Sequence, residues 1–179
     1  MGKITVTKTP VADLLVIEPA VYEDSRGYFM ETYNLRDFEA AGLFMTFVQD
    51  NQSQSRRGVL RGLHFQTLQP QGKLVRVLRG EVFDVGVDIR PGSVTYGQWF
   101  GMVLSGESKK QFYVPEGFAH GFLVLSEVAE FAYKCTSFYD PAHEGGIRWD
   151  DPTIGIEWPI GRNEVILSDR DKALPLVRK

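Results

Sequence analysis

At 179 residues the chain is long enough for one domain with a sizeable core and too short for two ordinary ones, so a single domain over 1–179 is expected. Hydrophobic residues at 43% and charged residues at 24% disfavour disordered, collagen-like and membrane classes. The net charge of −3 gives no basic excess for nucleic acid, and the single cysteine, Cys135, excludes an intrachain disulfide and a Cys-rich zinc module.

The segment Met1-Gly2-Lys3-Ile4-Thr5-Val6 has no long apolar run, and no later stretch approaches 18 apolar residues, so a cytoplasmic protein without a membrane anchor is expected. Short runs rich in Val, Phe, Leu and Tyr then recur between Gly, Pro, Asp and Asn breaks, the pattern of an all-β sandwich or barrel. Strands are predicted at 3–8, 13–18, 28–33, 46–54, 59–66, 73–79, 81–89, 97–104, 111–114, 121–126, 129–138 and 164–168. One peripheral helix is predicted from Leu35 to about Ala41, capped by Asn34 and stopped by Gly42. A hairpin through Gly80 is expected to join 73–79 to 81–89. In its second arm Phe83, Val85, Val87 and Ile89 share one face, which leaves Asp84 facing solvent or a polar cavity. Residues 140–163 carry Trp149 and Trp158 among Pro, Gly and Asp, and read as a long ordered loop.

The three histidines, His64, His120 and His143, make the search for a base short. His64 lies on a strand-like segment where strict alternation puts Arg61 on the opposite face; both serve one pocket only if a bulge or twist near Gly62 re-aims one of them. A half-buried strand histidine is the alternative reading. Pro115-Glu116-Gly117-Phe118-Ala119-His120 has the spacing of the second cupin motif, in which the histidine binds metal. The second histidine of the usual His-x-His is missing at Gln66, and no carboxylate follows His64 closely, so no metal is expected. Arg76 and Arg79 read as solvated surface cations, and Lys73, which shares a strand face with apolar Val75 and Val77, less so; a lysine there is able to stabilise an oxyanion. Phe131, Tyr133, Cys135, Ser137 and Tyr139 share a face, where a tyrosine serves as core packing, proton donor or aromatic platform. Leu167 to Lys172 offers carboxylates that would fix a histidine tautomer.

Taken together, Phe29-x-Glu31-x-Tyr33, Gln49-Asp50-Asn51-x-Ser53-x-Ser55, Gly58 to Gln66, Gly72 to Val77, Asp84 to Arg90, Pro115 to Phe122, Tyr133-Lys134-Cys135 and Leu167 to Lys172 closely resemble the dTDP-4-dehydrorhamnose 3,5-epimerases. Each marker is weak and their joint order is specific. The resemblance covers nearly the whole chain and implies a mainly β, cupin-type jelly-roll barrel with a few short helices. It implies that His64 is the general base, held by Asp171, that Tyr133 is the general acid, and that Lys73 lies near the C4 oxygen. Arg26, Glu31, Gln49, Asn51, Arg61, His120 and Glu144 match substrate-binding positions, and Tyr139 matches the aromatic that stacks on thymine. The implied activity is epimerisation at C3 and C5 of dTDP-4-dehydro-6-deoxy-D-glucose, without metal or other cofactor. Glu31 and its neighbours are implied to reach across a homodimer interface. A monofunctional 3- or 5-epimerase and a 3,4-ketoisomerase of the same kind of sugar remain alternatives.

Overall fold

A computed structural model describes residues 3–177. Among these residues thirteen strands and two short helices follow one another as β1 (Ile4–Lys8), β2 (Leu15–Pro19), β3 (Val21–Asp24), β4 (Gly27–Met30), α1 (Leu35–Ala40), β5 (Gln49–Arg56), β6 (Leu60–Gln66), β7 (Lys73–Arg79), β8 (Glu81–Asp88), β9 (Trp99–Ser105), β10 (Gln111–Val114), β11 (Phe118–Val124), β12 (Val128–Cys135), β13 (Glu144–Gly146) and α2 (Asp169–Lys172). A six-stranded sheet, in the order β1-β2-β10-β7-β12-β5, faces a five-stranded sheet, β13-β6-β11-β8-β9, while β3 and β4 form a separate hairpin. All ladders within these sheets are antiparallel, as the jelly-roll expectation requires.

The core lies between the sheets. Val75 and Val77 of β7, Phe112 of β10, Phe131 of β12, and Phe118 and Phe122 of β11 pack together with less than a tenth of each exposed. The Phe122 and Phe131 rings stack with centroids 4.1 Å apart, which ties the two sheets at mid-barrel. Helix α1 begins as predicted, with the Asn34 side chain accepting from the Arg36 N–H at 3.1 Å. It is more than peripheral, because its Phe38 is fully buried on the outer face of the six-stranded sheet against Ile17, Leu74 and Tyr113.

The predicted hairpin at Gly80 is not one. Strand β7 pairs with β10 and β12, whereas β8 pairs with β11 and β9, so Gly80 carries the chain from one sheet to the other. Its φ of +79° suits a glycine, and a Cβ there would lie 2.1 Å from the Val128 carbonyl oxygen. Sequence periodicity alone does not say which neighbour a strand chooses.

Strand β8 is buried on both faces. Val85 and Val87 point outward, beneath Ile147 and Ile154 from the 140–163 loop, and Phe83 meets Trp158 edge-on at 5.9 Å. Asp84 therefore points into the barrel. The segment predicted as a strand at 164–168 makes only one bridge, Val59 with Ile166, after a short 3₁₀ turn, Arg162–Glu164. The stretch 28–33 divides likewise: Gly27–Met30 pairs back on Val21–Asp24, and 31–33 leaves the ladder.

Candidate active site

One half of the barrel interior is apolar; the other is polar and open. The inward positions of edge strand β5 are Gln49, Asn51, Ser53 and Ser55, opposite Cys135, Tyr133, Phe131 and Ala129 of β12. A core needs apolar residues at such positions, and here a cavity of about 640 Å³ takes their place. His64, Lys73, His120, Tyr133 and Asp171 line it, with Asn51 and Arg61 toward one side.

The expected irregularity at Gly62 is present. His64 pairs with His120 and Arg61 with Phe122, so three residues on β6 span two on β11. That extra residue turns both Arg61 and His64 inward, and it sends Leu60 and Leu63 out to separate apolar clusters. Glycine is required at the bulge. Gly62 has φ +138°, and a Cβ on it would lie 2.5 Å from the Cα of Gly121.

His64 Nε2 lies 2.6 Å from Asp171 Oδ1. Burial works to raise the Asp171 pKa, but the hydrogen bond and charge of His64, with help from Ser168 and Arg170, hold it below the usual carboxylate value. An ionised carboxylate only accepts, so Nε2 carries the proton and Nδ1 is left as the basic nitrogen. The second carboxylate oxygen accepts from Ser168 Oγ at 2.9 Å, and Ser168 Oγ in turn accepts from the Asp171 N–H at 3.1 Å. Ser168 is thus the N-cap of α2. The capping pattern Ser-x-x-Asp would have revealed this helix, but the apolar run before it suggested a strand.

Lys73 and Tyr133 come from the opposite sheet. Burial pushes the Lys73 ammonium below its ordinary value, against the opposing influence of Cys135, Glu144 and Asp84. Tyr133 is held above the usual phenol value, chiefly by burial. Burial thus disfavours the charged form of each, which favours loss of a proton from the ammonium and opposes it at the phenol.

His120 Nε2 meets Asp84 Oδ1 at 2.9 Å deeper in the barrel, where Asp84 is fully buried and its other oxygen has no protein partner. Among the described residues no group of three or more His, Cys, Asp or Glu side chains is arranged to hold a metal ion. At the rim, Gln49 Oε1 accepts from the Tyr139 N–H at 2.9 Å and Gln49 Nε2 donates to Asn51 at 3.0 Å. The Tyr139 hydroxyl donates to Glu144, which also pairs with Arg170 at 2.5 Å. Sequence reasoning missed Arg170 together with its helix.

Gln49, Tyr139 and Glu144 border the cavity through Asn51 and Arg170 without lining it, and two further predicted residues, Arg26 and Glu31, stand apart from it. Arg26 sits on the β3–β4 turn, 88% exposed and paired with Asp24 at 2.6 Å, while Glu31 accepts from Asn34 at 3.2 Å. Arg76 and Arg79 do not line the cavity either; Arg79 is exposed, and Arg76 is half-buried on the outer face of β7.

Known proteins resemble the chain throughout. A family profile described as dTDP-4-dehydrorhamnose 3,5-epimerase matches residues 8–179. Relatives of that name from Salmonella typhimurium and Methanothermobacter thermautotrophicus are 56% and 55% identical, each match covering 96% of this chain and 94% of the relative. The crystal structure of a dTDP-6-deoxy-D-glucose-3,5-epimerase from Legionella pneumophila, in complex with dTDP-4-keto-L-rhamnose, superposes with a TM-score of 0.93 at 53% identity, covering 97% of this chain and 92% of that one. Sequence order, barrel and cavity agree, and the chain belongs to the dTDP-4-dehydrorhamnose 3,5-epimerase family.

Proposed function

We propose that the protein converts dTDP-4-dehydro-6-deoxy-D-glucose to dTDP-4-dehydro-L-rhamnose by inverting C3 and C5. One observation carries the reading: His64 stands on the five-stranded sheet, and Tyr133 and Lys73 stand on the six-stranded sheet across the same cavity. A sugar between the sheets has a base on one face and an acid on the other, which is the arrangement inversion needs.

The 4-keto group acidifies the hydrogens on both neighbouring carbons. His64 Nδ1 takes either of them, one in each inversion, and Asp171 stabilises the imidazolium that forms. Lys73 stabilises the enolate oxygen, an interaction worth about 3 kcal/mol at a preorganised site. Tyr133 then delivers a proton from the other face. The reaction is redox-neutral, and these groups supply the acid, base and cation it requires.

Asn51, Arg61 and His120 hold the nucleotide sugar, with Gln49, Tyr139 and Glu144 at the rim, Tyr139 stacking on thymine. Arg26 and Glu31 act in a homodimer, where the β3–β4 hairpin of one protomer completes the partner's cavity. Its exposed Tyr28 and Phe29, 55% and 64% accessible, support that contact. No helix among the described residues is long and apolar enough to cross a membrane, and a cytoplasmic location is consistent with that.

Proton NMR of the product tests the activity. Inversion at both carbons is expected. Inversion at one carbon would mark a monofunctional epimerase, and a 3-keto product a ketoisomerase.

A further inference from the structure

Helix α2 has only four residues, too few to hold its own shape, yet it sets Asp171 against His64 at 2.6 Å. Its position must come from what anchors the chain on either side. Upstream, the Ile166 N–H donates to the Gly58 carbonyl at 2.8 Å, and the Leu60 N–H donates to the Ile166 carbonyl at 3.0 Å. Downstream, Leu174 occupies the space over Gly146, where a Cβ would lie 2.6 Å from Leu174 Cδ2. The Arg148 N–H then donates to the Pro175 carbonyl at 2.8 Å, and the Val177 N–H donates to Asp151 Oδ2 at 2.6 Å.

We infer that Asp151 is a positioning residue of the reaction: it ties the chain after α2 to the 147–155 loop and so holds Asp171 against His64. Asp151 does not line the catalytic cavity and is only 2% exposed. Its other oxygen, Oδ1, accepts from the Thr153 N–H at 2.7 Å and the Ile154 N–H at 3.1 Å. One carboxylate therefore fixes the loop with one oxygen and the strap with the other. Burial alone would discourage its charge, but the Val177, Ile154 and Thr153 N–H groups hold its pKa below the ordinary value. An ionised carboxylate offers an acceptor oxygen to each partner at once.

The inference rests on the proposed roles of His64 and Asp171, and its test separates the two. Asp151→Asn keeps one acceptor oxygen for the loop and sets an NH₂ against the Val177 N–H. A displacement of about 1 Å at a catalytic group costs up to about 10²-fold, so kcat should fall about 10- to 100-fold in a variant that stays folded by near-ultraviolet circular dichroism. In an Asp171→Asn background the same substitution should cost less than about twofold more, because its effect runs through Asp171. The downfield ring N–H resonance of His64, which reports its bond to Asp171, should shift or broaden in Asp151→Asn. Val177→Pro removes the donor while leaving Asp151 its loop bonds, and should reproduce these results if Asp151→Asn does not fold. Unchanged kcat with an unchanged His64 resonance overturns the inference, as does an equal fold-loss in both backgrounds. If Asp171→Asn is itself fully active, the dyad reading fails, and the resonance still decides whether Asp151 positions Asp171.

Discussion

The barrel holds two histidine–carboxylate pairs on facing positions of neighbouring strands, His64 with Asp171 and His120 with Asp84. Their chemistry is the same and their surroundings are not. The His64 side chain is 26% exposed and its carboxylate arrives from a separate segment at the cavity mouth. The His120 side chain is 7% exposed, and Asp84 rises from the next strand in the buried floor. A base must reach substrate and exchange its proton, which suits the outer pair. In the proposed function the inner pair holds a hydroxyl or carbonyl of the substrate, and a buried pair of that kind is costly to break.

That contrast is open to direct challenge. His64→Ala should give the largest effect, a fall in kcat of about 10²- to 10⁴-fold with dTDP affinity within about tenfold of the parent, measured by steady-state kinetics and calorimetry. Activity near the parent level would move the base elsewhere. Asp171→Asn should lower kcat by about 10²-fold or more, since it removes both the tautomer control and the charge that stabilises imidazolium. Asp84→Ala should cost less activity, about tenfold, but more stability, about 1–3 kcal/mol in chemical denaturation, because it strands a buried ring N–H. A larger activity loss there than in Asp171→Asn would exchange the roles of the two pairs.

The smallest expected effect is a shift in pH profile. In the proposed mechanism Lys73 and Tyr133 both act protonated; burial lowers the Lys73 pKa from 10.5 and raises that of Tyr133 from 10.0. Activity should therefore fall with rising pH as Lys73 loses its proton, since burial favours that loss and opposes the one at Tyr133. Lys73→Arg, which stays charged, should retain some activity with its alkaline limb moved to higher pH. An unmoved limb would assign that ionisation to another group.

Much of this site could be read in the chain before any coordinates. The bulge at Gly62 followed from needing Arg61 and His64 on one side of a strand, and Lys73 stood out because it shares a face with Val75 and Val77. Asp84 was ambiguous for a physical reason. Alternation separates two faces of a strand but does not say which is inside, and in β8 the apolar face turned out to be the outer one, covered by the 140–163 loop. The choice of partner strand was equally hidden, so β7 and β8 looked like a hairpin although they lie in opposite sheets. Helix α2 was missed because a single capped turn has almost no periodicity, and Ser168 and Arg170 were missed with it. The β3–β4 hairpin was half seen, since its polar strand Val21–Asp24 has little alternation.

The central claim is that one base, His64, serves both carbons. Conversion of dTDP-4-dehydro-6-deoxy-D-glucose in deuterated water, followed by NMR, tests it most directly. The parent protein should place deuterium at C3 and C5, and His64→Ala should place it at neither. Deuterium at either carbon with His64→Ala, at the rate of the parent, would contradict the account.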